Sequence, residues 1–221
     1  MNASILNIPH NQQQCSTRQD PHLKEYSPFK YFQKRIIDYL LSFLLILASI
    51  PIVIVTIFRI KKESPGPIFF KQTRIGLHGK PFTCYKFRSM HIHTVTEDGV
   101  YTQDKDLRIF PFGQFMRKSR IDELPQILNV IKGEMHILGP RAEWDILAKQ
   151  YEEQIKDYKK RYLVRPGITG LAQVSYPYGR NIYDAEQKLG YDLKYIQNWS
   201  LFSEIKVILQ TVKVVLGKQG L

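Results

Sequence analysis

The sequence is poor in cysteine and in negative charge. Its 221 residues include two cysteines, Cys15 and Cys84, and no cysteine and histidine residues have the spacing of zinc ligands. This argues against a disulfide framework and a zinc site, and it predicts a reducing compartment. The 20 acidic residues stand against 32 lysines and arginines, which leaves a net charge of +12. Such an excess predicts anionic partners: phosphate, nucleic acid or an anionic membrane surface.

Charge is also missing from one long stretch. Residues 39–58 carry no charged side chain, and 16 of these 20 residues are apolar. Twenty helical residues extend about 30 Å, which is the thickness of the hydrocarbon core of a bilayer. A secretory signal peptide is not predicted, because the stretch begins late and no small-residue cleavage site follows it. We therefore expect a membrane helix over residues 29–62, after a disordered polar tail over residues 1–28.

Two features of this stretch favour a helix that enters and leaves the membrane on one face. Pro51, close to Ser49, removes a helical hydrogen bond and predicts a kink at residues 49–51. Lysine and arginine flank both ends, whereas a spanning helix usually concentrates them on its cytoplasmic side. On these residues alone, a spanning helix kinked at Pro51 remains the alternative.

Residues 63–221 have the pattern of an α+β domain that is mostly helical. Strand-like runs at 68–72 and 82–87 flank a glycine-containing turn and predict a small β-hairpin. Helical patterns dominate the rest of the domain. Ser119 is a predicted helix N-cap, and Gly133 is the predicted end of that helix.

Amphipathic patterns in the second half of the domain allow two interpretations. Apolar residues recur at helical spacing over 144–162, and residues 200–216 form a predicted helix rich in apolar positions. Both patterns predict packing against a core. The alternative interpretation places Trp144 and Trp199 at the level of the lipid headgroups, in helices lying in the membrane interface.

Two adjacent carboxylates, Asp122 and Glu123, are the candidate reactive groups. They could simply stabilise the N-terminus of a helix. Neighbours on a helix point about 100° apart, so the two carboxylates suit different tasks rather than a shared proton. Residues 59–121 hold +8 of the net charge, and arginine binds phosphate through two parallel hydrogen bonds. The basic residues that favour a site for a phosphorylated substrate at the bilayer surface are Lys86, Arg88, Arg117, Arg141 and Arg165.

Five short motifs occur in a fixed order and carry a family resemblance. They are YKFRSM at 85–90, DELPQ at 122–126, NVIKG at 129–133, GPR at 139–141 and RPGITG at 165–170. In this order they resemble the monotopic bacterial phosphoglycosyl transferases, which prime glycan assembly on polyprenyl phosphate. The resemblance covers the chain from about Lys30 to its C-terminus. A YPYG stretch, here at 176–179, is found in members that transfer hexose 1-phosphate for exopolysaccharide and capsule assembly.

The resemblance implies a mechanism and a set of site residues. Asp122 would attack the β-phosphate of a UDP-sugar, release UMP and carry the sugar phosphate until polyprenyl phosphate accepts it. Glu123 would hold Mg²⁺. The residues implied in substrate and phosphate binding are Lys86, Arg88, Arg117, Arg141, Arg165, Thr169 and Arg180.

The resemblance also implies a location and partners. The protein would be monotopic on the cytoplasmic face of a bacterial inner membrane, with its re-entrant helix broken at Ser49 and Pro51. Interfacial helices and the hairpin would surround a cytoplasmic catalytic core. The implied partners are UDP-sugar, polyprenyl phosphate and membrane lipid, without nucleic acid and with a homodimer as one candidate assembly.

Three observations qualify the resemblance. Many family members carry a multi-span N-terminal half, so this chain is expected to be the minimal catalytic-core form. Ala142 stands where the family commonly has proline, and His136 where it commonly has serine, which leaves the rigidity of that loop open. A non-catalytic, membrane-tethered basic binding or scaffold protein is the alternative function.

Overall fold

The structure is a computed structural model and describes residues 23–92, 106–176, 179 and 181–217. Within these ranges the helices are α1 Pro28–Glu63, α2 Pro111–Lys118, α3 Ile127–Lys132, α4 Asp145–Gln154, α5 Leu171–Ser175, α6 Ile182–Gln197 and α7 Leu201–Leu216. The strands are β1 Phe69–Ile75, β2 Pro81–Phe87, β3 His136–Leu138 and β4 Gly167–Thr169. The prediction of a mostly helical chain with a small antiparallel sheet and one long apolar helix is confirmed.

Helix α1 begins and ends where its sequence provides caps. The Ser27 hydroxyl accepts a hydrogen bond from Lys30 N at 3.4 Å, Pro28 occupies the first turn, and Ser64 ends the helix. Its apolar central part has a mean hydropathy of 2.8 and is long enough to cross a membrane. Pro51 lies inside the helix. Most of the predicted tail falls outside the described residues, but Tyr26 is buried against Trp199.

The buried residues of α1 are largely polar and recur at intervals of four or seven positions. They are Lys34, Asp38, Ser42, Ser49, Thr56 and Ile60. Near the N-terminus, Asp38 Oδ1 accepts a hydrogen bond from Ile137 N at 2.8 Å. Near the C-terminus, Glu63 Oε2 accepts one from Phe112 N, also at 2.8 Å. Both ends of α1 therefore bind the same domain, whereas large apolar side chains between them are exposed.

Two small strand pairs organise the domain. β1 and β2 form the predicted hairpin, antiparallel, with Phe69 opposite Phe87. β3 and β4 pair in parallel, and here a glycine is required at each of two positions. A Cβ on Gly139 would lie 2.7 Å from Arg165 O, and one on Gly167 would lie 2.1 Å from Gly139 N. The glycines of the GPR and RPGITG motifs thus allow the two backbones to touch.

Core packing is the interpretation that holds for the amphipathic stripe over residues 144–162. Its residues Leu147, Tyr151, Ile155, Tyr158 and Tyr162 are buried in one apolar cluster, and Trp144, where the stripe begins, packs against that cluster. Its prediction as one continuous helix was wrong, because α4 ends at Gln154 and a separate 3-10 helix, Tyr158–Leu163, follows.

Trp199 is also buried, with its Nε1 donating to Glu204 Oε1 at 2.5 Å. It therefore lies inside the protein rather than at the headgroup level. Helix α7 has an exposed apolar face formed by Phe202, Ile205, Leu209 and Val212.

Candidate active site

A cavity of about 880 Å³ lies between the hairpin and the helices that follow it. Lys86, Arg117, Asp122 and Arg141 line this cavity. It extends to a second group of side chains that includes Trp144, Tyr151, Arg161, Lys188 and Asp192. The cavity therefore joins a strongly cationic region containing a carboxylate to a region with aromatic and polar walls.

The two carboxylates lie on a 3-10 helix, Ile121–Gln126, that packs against β2. Ser119 was wrongly predicted as the N-cap of this segment. It ends α2 instead, and its hydroxyl donates to Phe115 O at 2.7 Å. The turn between the two helices is made by Arg120, whose positive φ of 59° is uncommon for a residue with a side chain.

Glu123 is buried and neutralised by several cations. Its Oε1 lies 2.8 Å from Lys86 Nζ and 2.9 Å from Arg141 Nη2, with Arg120 Nη1 at 4.0 Å. Burial acts to raise the pKa of Glu123, but the charges of Arg141 and Lys86 overcome it and hold the pKa well below its usual range. Glu123 is therefore ionised and links β2 to the Arg141 loop.

Asp122 is in a different electrostatic position. It is 9% exposed, and its Oδ1 accepts no hydrogen bond from any described residue. Burial raises the pKa of Asp122, an effect opposed by the charge of Lys86 and reinforced by that of Glu123. A buried carboxylate oxygen without a donor is costly to keep, which makes Asp122 the candidate reactive group of this cavity.

The structure brings together only part of the predicted binding set. Lys86, Arg117 and Arg141 line the cavity with Asp122. Arg88 also lines it, yet its guanidinium donates to Pro67 O at 2.7 Å, Ser64 Oγ at 2.6 Å and Ser64 O at 2.5 Å. These bonds hold the Arg88 guanidinium at the C-terminal end of α1.

Arg165 and Thr169 are not among the residues that line the cavity. The Arg165 guanidinium lies over the Tyr31 ring, 5.3 Å from its centroid, and Thr169 Oγ1 is 2.9 Å from Thr211 Oγ1. Arg180 lies outside the described residues.

Sequence reasoning missed several residues that support or line the site. The amide of Asn129 bridges α3 and β2: its Nδ2 donates to Thr83 O at 2.7 Å, and its Oδ1 accepts from Tyr85 N at 3.2 Å. Arg161 forms a buried ion pair with Asp192 at 2.8 Å. Asn129 lies inside the NVIKG motif, which was a usable signal, but nothing in the spacing of Arg161 and Asp192 indicates that they meet.

The fold and the site together define a class of protein: a small domain with a long apolar helix, and a cationic cavity that holds a buried aspartate. Residues 29–218 match the family described as bacterial sugar transferase. The chain belongs to this family.

Individual relatives agree with this assignment. The chain is 40% identical over 194 residues to the UDP-N-acetylgalactosamine-undecaprenyl-phosphate N-acetylgalactosaminephosphotransferase of Aeromonas hydrophila, covering 88% of this chain but 46% of the relative. It is 40% identical to the UDP-glucose:undecaprenyl-phosphate glucose-1-phosphate transferase of Caulobacter vibrioides, covering 83% of this chain and 70% of the relative. An uncharacterized sugar transferase of Bacillus subtilis is 39% identical, and the match covers 85% of this chain and 89% of the relative.

Proposed function

We propose that this protein transfers a sugar 1-phosphate from a UDP-sugar to polyprenyl phosphate through a covalent intermediate on Asp122. The observation that carries the proposal is the buried Asp122, whose Oδ1 has no hydrogen-bond partner among the described residues, in a cavity whose lining includes Lys86, Arg117 and Arg141. The names of the relatives from Aeromonas hydrophila and Caulobacter vibrioides supply the two substrate classes.

The reaction proceeds in two displacements at one phosphorus atom. In the first, a carboxylate oxygen of Asp122 attacks the phosphorus that bears the sugar, the bond to the bridging oxygen breaks, and UMP leaves. In the second, a phosphate oxygen of polyprenyl phosphate attacks the same phosphorus and displaces the aspartate. Covalent catalysis of this kind divides one difficult transfer into two easier steps.

The cations of the cavity serve both displacements. Lys86 and Arg141 already neutralise Glu123, so a diphosphate entering the site finds a region of net positive charge. Lys86 and Arg117 also lie close enough to Asp122 to lower its pKa, which favours the ionised nucleophile against the effect of burial. Preorganised charges of this kind stabilise the negative charge that develops on the departing phosphate.

We further propose that a Mg²⁺ ion shares its coordination between Glu123 and the substrate phosphates. The described residues contain no group of three or more histidine, cysteine, aspartate or glutamate side chains arranged as a complete metal site, and Mg²⁺ commonly uses one or two carboxylates plus phosphate oxygens. Glu123 would hold the ion. When bound, it would neutralise charge on the diphosphate.

The contacts of α1 support a re-entrant, monotopic arrangement. A straight helix of 36 residues would extend about 54 Å, yet polar contacts at both of its ends hold it to one domain. We place the domain on the cytoplasmic face of the membrane, with the exposed apolar face of α7 in the interface.

Labelling of single cysteines introduced into the tail tests this placement. If the tail were labelled only from the periplasmic side, the placement would be contradicted. Pro51→Leu should favour a straight spanning helix, and an unchanged tail location would show that Pro51 does not turn the chain.

The catalytic proposal is tested by UMP release from a panel of UDP-sugars, with Mg²⁺ and polyprenyl phosphate present. Asp122→Asn should abolish release, whereas Glu153→Gln, a change at an exposed carboxylate, should leave it unchanged. Without polyprenyl phosphate, intact mass spectrometry should show one sugar phosphate added to the wild type and none to the variant. Full activity of Asp122→Asn would refute the intermediate, and no release from any UDP-sugar would favour the scaffold alternative.

A further inference from the structure

The loop that carries Arg141 is held along its backbone. Four consecutive carbonyl oxygens of this loop accept hydrogen bonds from three other parts of the fold. The bonds are Gly167 N to Pro140 O (2.8 Å), Arg161 Nη2 to Arg141 O (2.8 Å), Arg74 Nη1 to Ala142 O, and Ile75 N to Glu143 O (3.1 Å). Backbone groups of β4 and β1 hold the two ends, and two arginine side chains hold the middle.

Arg161 is itself fixed from several directions. It is 5% exposed, and its Nη2 lies 2.8 Å from Asp192 Oδ2 on α6. Its Nη1 donates to the hydroxyl of Tyr158 and lies 3.9 Å from Glu143 Oε1. A guanidinium held this way has little freedom, so the carbonyl that it binds is also held in place.

The position of Arg141 matters for the site at its other end. The Arg141 guanidinium binds Glu123 at 2.9 Å, while the carbonyl of the same residue accepts from Arg161. Residues 141–144 contain no proline, so hydrogen bonds must restrict this part of the backbone. A hydrogen bond from a charged donor is roughly twice as strong as a neutral one.

We propose that Arg161, held by Asp192, is a positioning residue for the transfer reaction. It fixes the carbonyl of Arg141 and thereby keeps the Arg141 guanidinium against Glu123 and the substrate phosphates. The kinetic consequence rests on the proposed function. The physical consequence, a rigid loop over residues 140–143, does not.

Kinetics provide the first test. Arg161→Lys keeps a positive charge but loses the planar fork that reaches Asp192 and the Arg141 carbonyl together. We expect kcat for UMP release to fall about 10- to 100-fold, since a misplacement near 1 Å can cost about 100-fold. Asp192→Asn should have an effect in the same direction. Lys159→Gln, an exposed change on the same 3-10 helix, should leave kcat unchanged.

A double variant distinguishes positioning from general damage to the fold. If Arg161 acts through Arg141, then Arg161→Lys combined with Arg141→Lys should be within about threefold of Arg141→Lys alone, since changes acting through one group are not additive. Loss of folded protein would instead multiply the two effects. Multiplicative losses, or an Arg161→Lys variant with wild-type kcat, would overturn the proposal.

Hydrogen exchange provides a test that does not depend on activity. Peptides covering residues 139–145 should exchange faster in Arg161→Lys than in the wild type, whereas peptides from β1 and β2 should be unchanged. Unchanged exchange in 139–145 would overturn the proposal. If the wild type releases no UMP from any UDP-sugar, the proposed function fails, and this experiment still decides whether Arg161 holds the loop.

Discussion

Replacing Glu204 by alanine should weaken the attachment of α1 to the rest of the protein. Glu204 lies on α7 and binds Lys34 of α1, with 2.7 Å between Oε1 and Nζ, in a place where Lys34 is 2% exposed. The same oxygen accepts hydrogen bonds from Trp199 Nε1 and the Tyr195 hydroxyl. One carboxylate thus compensates a buried ammonium and two further donors.

The expected loss follows from this burial. Removing one member of a buried ion pair costs about 3–5 kcal/mol, because the remaining charge stays in the interior without compensation. For a protein of this size, each kcal/mol lowers the melting temperature by about 2–4 °C. In Glu204→Ala, the ammonium of Lys34 keeps hydrogen bonds to the neutral Leu138 carbonyl and Tyr195 hydroxyl. The melting temperature of this variant should therefore lie roughly 6–20 °C below that of the wild type.

Thermal unfolding in detergent or lipid nanodiscs, followed by circular dichroism, measures the effect. The double variant Lys34→Met with Glu204→Gln removes both charges and keeps an amide oxygen for Trp199, so it should recover most of the loss. Lys159→Met breaks an exposed ion pair with Glu152 and should change the stability by less than about 1 kcal/mol. A Glu204→Ala melting temperature within 2 °C of the wild type, or a double variant as unstable as the single one, would refute the reasoning.

Three further predictions concern other buried polar groups. Arg88→Lys loses hydrogen bonds to Ser64 at the end of α1 and should lower the free energy of unfolding by about 2–3 kcal/mol, measured by thermal unfolding. If the variant instead raised the KM for UDP-sugar more than about tenfold, this would show that Arg88 contacts a substrate phosphate directly. Burial lowers the pKa of His136, whereas a histidine in the unfolded chain has a pKa of about 6.5. The unfolded state therefore binds the proton more readily, so the free energy of unfolding should have its full value above about pH 6.5 and decrease below it. His136→Gln should flatten this fall in urea titrations between about pH 7 and 5, and an unchanged slope would contradict a neutral buried imidazole. Asn129→Ala removes the bridge between α3 and β2 and should lower both stability, by about 2–4 kcal/mol, and UMP release; a variant with wild-type values of both would show that this amide does not support the site.

Much of the fold was predictable because the signals are local. The apolar stretch and the strand-like runs of the hairpin depend on neighbouring residues alone, and each was predicted within a few positions. The stripe starting at Trp144 was predicted as one helix because its spacing is helical on both sides of Ile155, but the backbone is extended at that residue. Spacing describes which side chains share a face and not whether the backbone continues between them.

The site was predictable in part. Residue types and order pointed to Asp122, Glu123 and the basic residues, and the structure places Lys86 and Arg141 on Glu123. The same reasoning treated Arg88 and Arg165 as equivalent to these, because a sequence does not reveal which acceptors surround a guanidinium. Arg88 meets carbonyl oxygens at a helix end, and Arg165 meets an aromatic ring.

The amino-acid sequence by itself determined the apolar helix, the excess of positive charge, the pair of carboxylates and the order of motifs that marks the family. Only the tertiary structure decided which charges are neighbours. Lys34 and Glu204 are 170 positions apart, and Arg161 reaches Asp192 on another helix. Contacts between distant positions arise when elements pack, because burial forces each polar group to find a partner. Local patterns indicate most of the elements, and the pairing of these buried charges follows from how those elements pack.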